Sequence, residues 1–190
     1  MKTVADRNHG RRWDQPPAPR TTGGVERAVF ELLRLAIGSG SRNVSSGDRW
    51  HPRRSVDMLF QLGGERVVVE YDAAYFHPSH GDDFDRSRQA FEVLGAYVIR
   101  IRERPLETRG FDGFVHPIGV PRNPDPQLCA AAVLLHLDHV LFLDGVITQD
   151  WRGEPMHRAT IRFAVARFGP AAVAARCPAC REHLASSTAC

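Results

Sequence analysis

Val56-Asp57-Met58-Leu59-Phe60, Val67-Val68-Val69-Glu70-Tyr71-Asp72, Tyr75-Phe76-His77, Asp85-Arg86-Ser87-Arg88 and Tyr97-Val98-Ile99-Arg100-Ile101-Arg102-Glu103 follow one another in a single stretch, residues 56–103. Ser55 to Leu62 reads as a strand, Gly63-Gly64 as a two-residue hairpin turn and Arg66 to Tyr71 as the returning strand. Val67, Val68 and Val69 are apolar on both faces of that second strand, which predicts a central strand covered on both sides. Asp83 to Leu94 reads as a helix ended by Gly95, and Tyr97 to Arg102 as a third strand ended near Pro105. Side chains alternate along a strand, so Glu70 and Asp72 share one face and Tyr71 takes the other. Asp57, Glu70 and Asp72 then fall at one edge of the hairpin. Carboxylates are costly to gather without a cation, and hard oxygen donors suit Mg²⁺ or Mn²⁺. His77 follows the second strand and offers a general base or acid, or a phosphate contact.

Working outward, residues 1–21 are polar, carry Pro16, Pro17 and Pro19, and read as a flexible arm. Thr22 through Ile37 has Val25, Ala28, Val29, Leu32, Leu33 and Ala36 at helical spacing, with Gly38 as a stop. Residues 38–54 read as a loop with a short strand near Val44, and residues 78–82 as another loop. Residues 107–126 are rich in Gly and Pro and read as a connector. Pro126 to Leu143 is a strongly apolar helix, and Arg158 to Phe168 and Ala171 to Ala175 are helical. The expectation is therefore an α/β core over residues 22–106, a connector and helical extension over 107–176, and a Cys-rich tail over 177–190.

The chain has 190 residues, 43% hydrophobic and 25% charged, ordinary for a globular protein with a real core. The net charge of +3 is too small to imply strong sequence-independent binding to nucleic acid. Lys2 is the single lysine, so nearly every cation is arginine. A GC-rich genome accounts for that bias more simply than selection for phosphate or guanine contacts. No run approaches the roughly 18–20 apolar residues of a membrane span, and the first residues carry no apolar signal-peptide core. Four cysteines, three of them in the tail, do not make a secreted disulfide framework. The expected setting is reducing and cytoplasmic, with no membrane partner.

The ordered set "VD" at Asp57, "VVVEYD", Tyr75-Phe76-His77, "DRSR" at Asp85 to Arg88 and "LGAYVIRIRE" at Leu94 to Glu103 resembles the PD-(D/E)XK, restriction-endonuclease-like nuclease superfamily. Within it the set looks most like the very-short-patch-repair endonucleases and their bacterial relatives. The resemblance spans roughly residues 22 to 106. It implies a core of helix, β-hairpin, helix and strand around a mixed central sheet, and metal-dependent hydrolysis of DNA. It implies Asp57 as principal metal ligand, Glu70 as the acidic position of the second strand and His77 as the histidine assisting hydrolysis. Glu26 would match the acidic residue of the first helix, with an ordinary helix N-terminal charge as the alternative. Asp85 and Arg86 would flank the site, and Arg86 and Arg88 are the candidate DNA contacts. The superfamily's lysine, two residues after the glutamate, is Asp72 here. Asp72 is either a third metal ligand or a structural partner of Arg86 or Arg100. The missing lysine keeps open a second expectation, a catalytically inactive module that binds DNA or a protein partner, and a third, a nuclease acting on RNA.

Cys177-Pro178-Ala179-Cys180 has the spacing of a zinc knuckle, and His183 and Cys190 complete a candidate Cys₃His set for Zn²⁺. A full ribbon pairs two knuckles, so the expectation is a degenerate knuckle, vestigial or sharing its zinc between two chains. Cys129 reads as a small buried hydrophobe, and His51, His80 and His116 as surface residues.

Overall fold

The computed structural model describes residues 22–46, 54–75, 80–108, 113, 115–141, 155–175 and 177–187. Five strands form one mixed sheet in the order β1-β2-β3-β4-β5: β1 (Ser41–Ser45), β2 (Ser55–Leu62), β3 (Glu65–Asp72), β4 (Ala96–Glu103) and β5 (Val115–Val120). β1, β2 and β3 are antiparallel neighbours, whereas β3, β4 and β5 run parallel. The α/β class is that expected.

Gly63 and Gly64 close the β2–β3 hairpin with φ of 55° and 92°. A two-residue turn matching strand twist needs positive φ at both positions, which glycine takes without steric cost. Val67, Val68 and Val69 are fully buried in the middle strand, as their two-sided apolar pattern predicts. The antiparallel start sets up a hairpin; the parallel return of β4 requires a crossover, supplied by α2 (His80–Leu94). α2 begins before the expected Asp83, with Asp82 and Asp83 in its first turn, where the helix dipole favours acid.

α2 covers one face of the sheet through a small cluster of Val56, Val68, Ala90, Ala96, Val98 and Val115. The larger core lies on the other face, where α1 (Thr22–Ile37), α3 (Pro126–His136), α4 (Pro155–Phe168) and α5 (Pro170–Val173) pack. α3 is buried from Leu128 to His136 on every side, the position expected of a helix without a polar face. Asp125 caps it, accepting from the Gln127 backbone N–H at 2.8 Å, and Pro126 takes the first position. Cys129 is fully buried, which raises its thiol pKa by desolvation.

Three expectations need correction. Residues 107–126 are not solely a connector, because Val115–Val120 pairs with β4 as an edge strand. Pro117 and Gly119 hide it in the sequence; a proline is tolerated there because an edge strand leaves one side unpaired. The helix expected to run to Leu143 changes from α to π geometry at Leu137 and continues so to Leu141. The tail carries a helix, α6 (Pro178–Ser187), packed against that π-helical segment. Among the described residues no helix is long and apolar enough to cross a membrane.

Candidate active site and metal centre

The β2–β3 ladder runs from Leu62 opposite Glu65 to Met58 opposite Val69. One step further the same register sets Asp57 against Glu70. There the Asp57 carboxylate ends the ladder: its Oδ2 accepts the Tyr71 backbone N–H at 2.8 Å. Glu70 is 4% exposed. Its pKa is raised well above the usual carboxylate range, chiefly by burial and next by the charge of Asp57; Arg100 and Arg86 oppose the rise. Arg86 on α2 brings Nη2 to 3.9 Å from Glu70 Oε2 while remaining partly exposed.

Asp72 shares the α2 face with Glu70, as alternation predicts, but its carboxylate is turned to arginine. Arg100 Nε donates to Asp72 Oδ2 at 2.8 Å and Arg100 Nη2 to Oδ1. Arg102 Nη1 donates to Asp72 Oδ2 at 2.7 Å and to Asp83 Oδ2 at 2.8 Å. Arg100 Nη1 also donates to Ser87 Oγ at 2.8 Å. Both arginines and both aspartates are fully buried. Two positive and two negative groups are thus sealed between the sheet and α2. The Arg100 guanidinium loses hydration by burial, yet Asp72 more than restores its charged form, raising its pKa. The structural pairing of Asp72 is with Arg100 and Arg102. Arg86 is drawn to Glu70 instead.

On the opposite face Tyr71 donates its hydroxyl to Glu103 Oε1 at 2.6 Å, and the Ala74 N–H reaches Glu103 Oε2 at 3.3 Å. Burial first, then the Glu103 hydrogen bond, raises the Tyr71 pKa. Glu26 on α1 receives Arg42 Nη2 at 2.6 Å, so its described partner is a cation on β1. Arg88 is exposed and donates to Glu92 at 2.9 Å. His77 and Cys190 lie outside the described residues, as does His51.

A second cluster lies on the α3 side of the sheet. His136, Cys177 and Cys180 offer one ligand atom each, all within 4.8 Å of one another. His136 Nδ1 stands 3.9 Å from Cys180 Sγ. The imidazole beside the two cysteines is therefore His136, where the sequence pointed to His183. His183 Nε2 contacts Asp138 Oδ2 at 3.2 Å, and its ring stacks on His139 with centroids 4.9 Å apart. His116, expected at the surface, is half-buried with its ring 5.0 Å from that of His136. His136 lies 41 positions before Cys177, too distant for motif spacing to join them. Its one sequence signal is the run His136-Leu137-Asp138-His139 at the end of an otherwise apolar helix. The Cys177 thiol pKa is lowered by the hydrogen bond from Cys180, against burial and with help from His136; that of Cys180 is raised in the same exchange.

Comparison of the chain with protein-family models, with curated proteins and with solved structures finds no match.

Proposed function

We propose that this chain is a metal-dependent endonuclease that hydrolyses phosphodiester bonds of DNA. Asp57 and Glu70 hold the Mg²⁺ or Mn²⁺, and Arg86 attends the phosphate. The observation that carries this reading is the apposition of Asp57 and Glu70 at the open end of the hairpin. A buried carboxylate beside a second carboxylate is unfavourable by itself and becomes favourable when a hard cation enters. The helix–hairpin–helix–strand order and the mixed sheet support the restriction-endonuclease-like resemblance.

Within the site the two carboxylates provide oxygen donors of suitable hardness, and the ion they hold would supply Lewis-acid activation of water and charge stabilisation at phosphorus. In this reading Arg86, half-exposed on α2 beside Glu70, would meet an incoming phosphate oxygen. Arg100 and Arg102 hold Asp72 and Asp83 and so fix α2 against β3 and β4. In this reading Asp72 is a positioning residue rather than a ligand.

One observation favours the second reading, a nuclease-like module without activity. Asp72 occupies the lysine position, and its carboxylate is committed to two arginines. Supercoiled-plasmid cleavage with Mg²⁺ or Mn²⁺ separates the two. The wild type is expected to nick or linearise the plasmid and Asp57→Ala to lose that activity. Equal cleavage by both proteins removes Asp57 from the site. No cleavage by either, together with salt-sensitive DNA binding and no metal-dependent rise in Tm, establishes the inactive module.

A further inference from the structure

We propose that His136, Cys177 and Cys180 bind Zn²⁺, which pins α6 to the end of α3. The donor chemistry is the first argument. Two sulfurs and an imidazole nitrogen suit zinc and do not suit the Mg²⁺ of the carboxylate site. The spacing is the second. Zn–S of ≈ 2.3 Å and Zn–N of ≈ 2.0–2.1 Å at a tetrahedral angle set neighbouring ligand atoms roughly 3.5–3.8 Å apart. The His136 Nδ1 to Cys180 Sγ separation is 3.9 Å, with all three donors inside 4.8 Å, so small adjustments bring them to one ion, whose fourth tetrahedral position a water would take.

The third argument is the way the backbone presents the donors. Pro178 opens α6, and the Arg181 N–H bonds back to the Cys177 carbonyl at 3.1 Å. Cys177 and Cys180, three residues apart across that first turn, therefore face the same way. Ala175, at φ 47°, turns the chain out of the preceding helical residues and into this position, and the Cys177 N–H is tied to the Ala174 carbonyl at 2.8 Å. On the other side the helix widens from α to π directly after His136, a local change that recurs where a helix must re-aim side chains at functional sites. Cys180 and His136 are 1% and 5% exposed. Burying the Cys180 thiol and the His136 imidazole against each other, with the half-buried Cys177 beside them, gains little without a cation to share.

The cluster lies across the sheet from the face that carries Glu70 and Asp72, and it joins two helices that the carboxylate site does not use. It fastens the last described helix, short and with a weak apolar face, to the most buried one. This inference does not rest on the nuclease reading.

The test uses the full chain purified under reductant without chelator. About one zinc per chain is expected. Replacement by Co²⁺ is expected to give tetrahedral visible bands together with thiolate-to-cobalt charge transfer. His136→Asn is expected to weaken zinc binding at least ~10-fold and to alter the visible bands. Chelation of the wild type is expected to lower Tm, and that readout survives if a cysteine variant fails to fold. Reduced protein that shows neither stoichiometric zinc nor a thiolate–cobalt band overturns the site. A cobalt spectrum unchanged in His136→Asn overturns the assignment of the third ligand.

Discussion

Glu70 is where the chemistry proposed for the site and the stability of the fold pull in opposite directions. Its carboxyl pKa is raised in the folded state by burial and by Asp57. The folded chain therefore holds a proton there that the unfolded chain releases. Its contribution to stability is fully present below the ordinary carboxylate range and declines as pH rises from that range towards the raised folded value. Glu70→Gln removes the ionisable group and keeps the shape. At pH 8 without divalent ions this variant should melt above wild type. The advantage should vanish near pH 4 in thermal scans. If the proposed site holds the ion, Mg²⁺ should raise the wild-type Tm and raise that of Glu70→Gln less, because the variant keeps only the Asp57 carboxylate. A Glu70→Gln protein less stable than wild type at pH 8 would contradict this account. At this scale Asp57, Glu70 and Asp72 were all visible as strand-end acids. Their division was not: Asp72 and Glu70 sit on one face in one register, and only the positions of Arg100 and Arg102 on the neighbouring strand separate them.

At the scale of elements, α2 is joined to the sheet by buried charge as well as by apolar packing. Asp83 of α2 reaches Arg100 and Arg102 of β4, and both arginines reach Asp72 of β3. Removing one member strands buried charge, so Asp72→Ala should cost about 3–5 kcal/mol in denaturant unfolding. Arg88→Ala, which breaks the exposed i,i+4 pair with Glu92, should change stability by no more than about 0.5 kcal/mol. A second joint is steric. Gly40 enters β1 at φ 142°, and a Cβ there would lie 2.7 Å from Phe60 Cε1 and 3.2 Å from Phe30 Cε2. Gly40→Ala should therefore destabilise by about 1–3 kcal/mol, read from the urea midpoint at unchanged slope. Gly63, Gly64 and Gly95 marked their turns in the sequence because positive φ admits few other residues. β5 left no such mark, since its strand character comes from pairing with β4 and not from Val115–Val120 itself.

At the scale of the whole molecule, the sheet order puts β3 and β4 between covered faces and leaves β1 at an edge with alternate residues exposed. Amides of Val67–Val69 and Ile99–Ile101 should exchange with solvent slowest, at least about 100-fold more slowly than those of Ser41–Ser45. Comparable rates along β1 and β3 would mean that the sheet opens as one unit.

By itself the sequence determined the hairpin, the central valine strand, the crossover helix and the acids at the strand ends. Each of these is written in local signals: period-two and helical spacing, glycines at forced turns, and apolar runs whose length suits one element. Tertiary structure alone decided which acid faces another acid and which faces arginine, that an unpromising segment with Pro117 becomes an edge strand, and that His136 joins Cys177 and Cys180. Those outcomes depend on register between strands and on the packing of segments far apart in the chain. A residue's own neighbours carry no record of either.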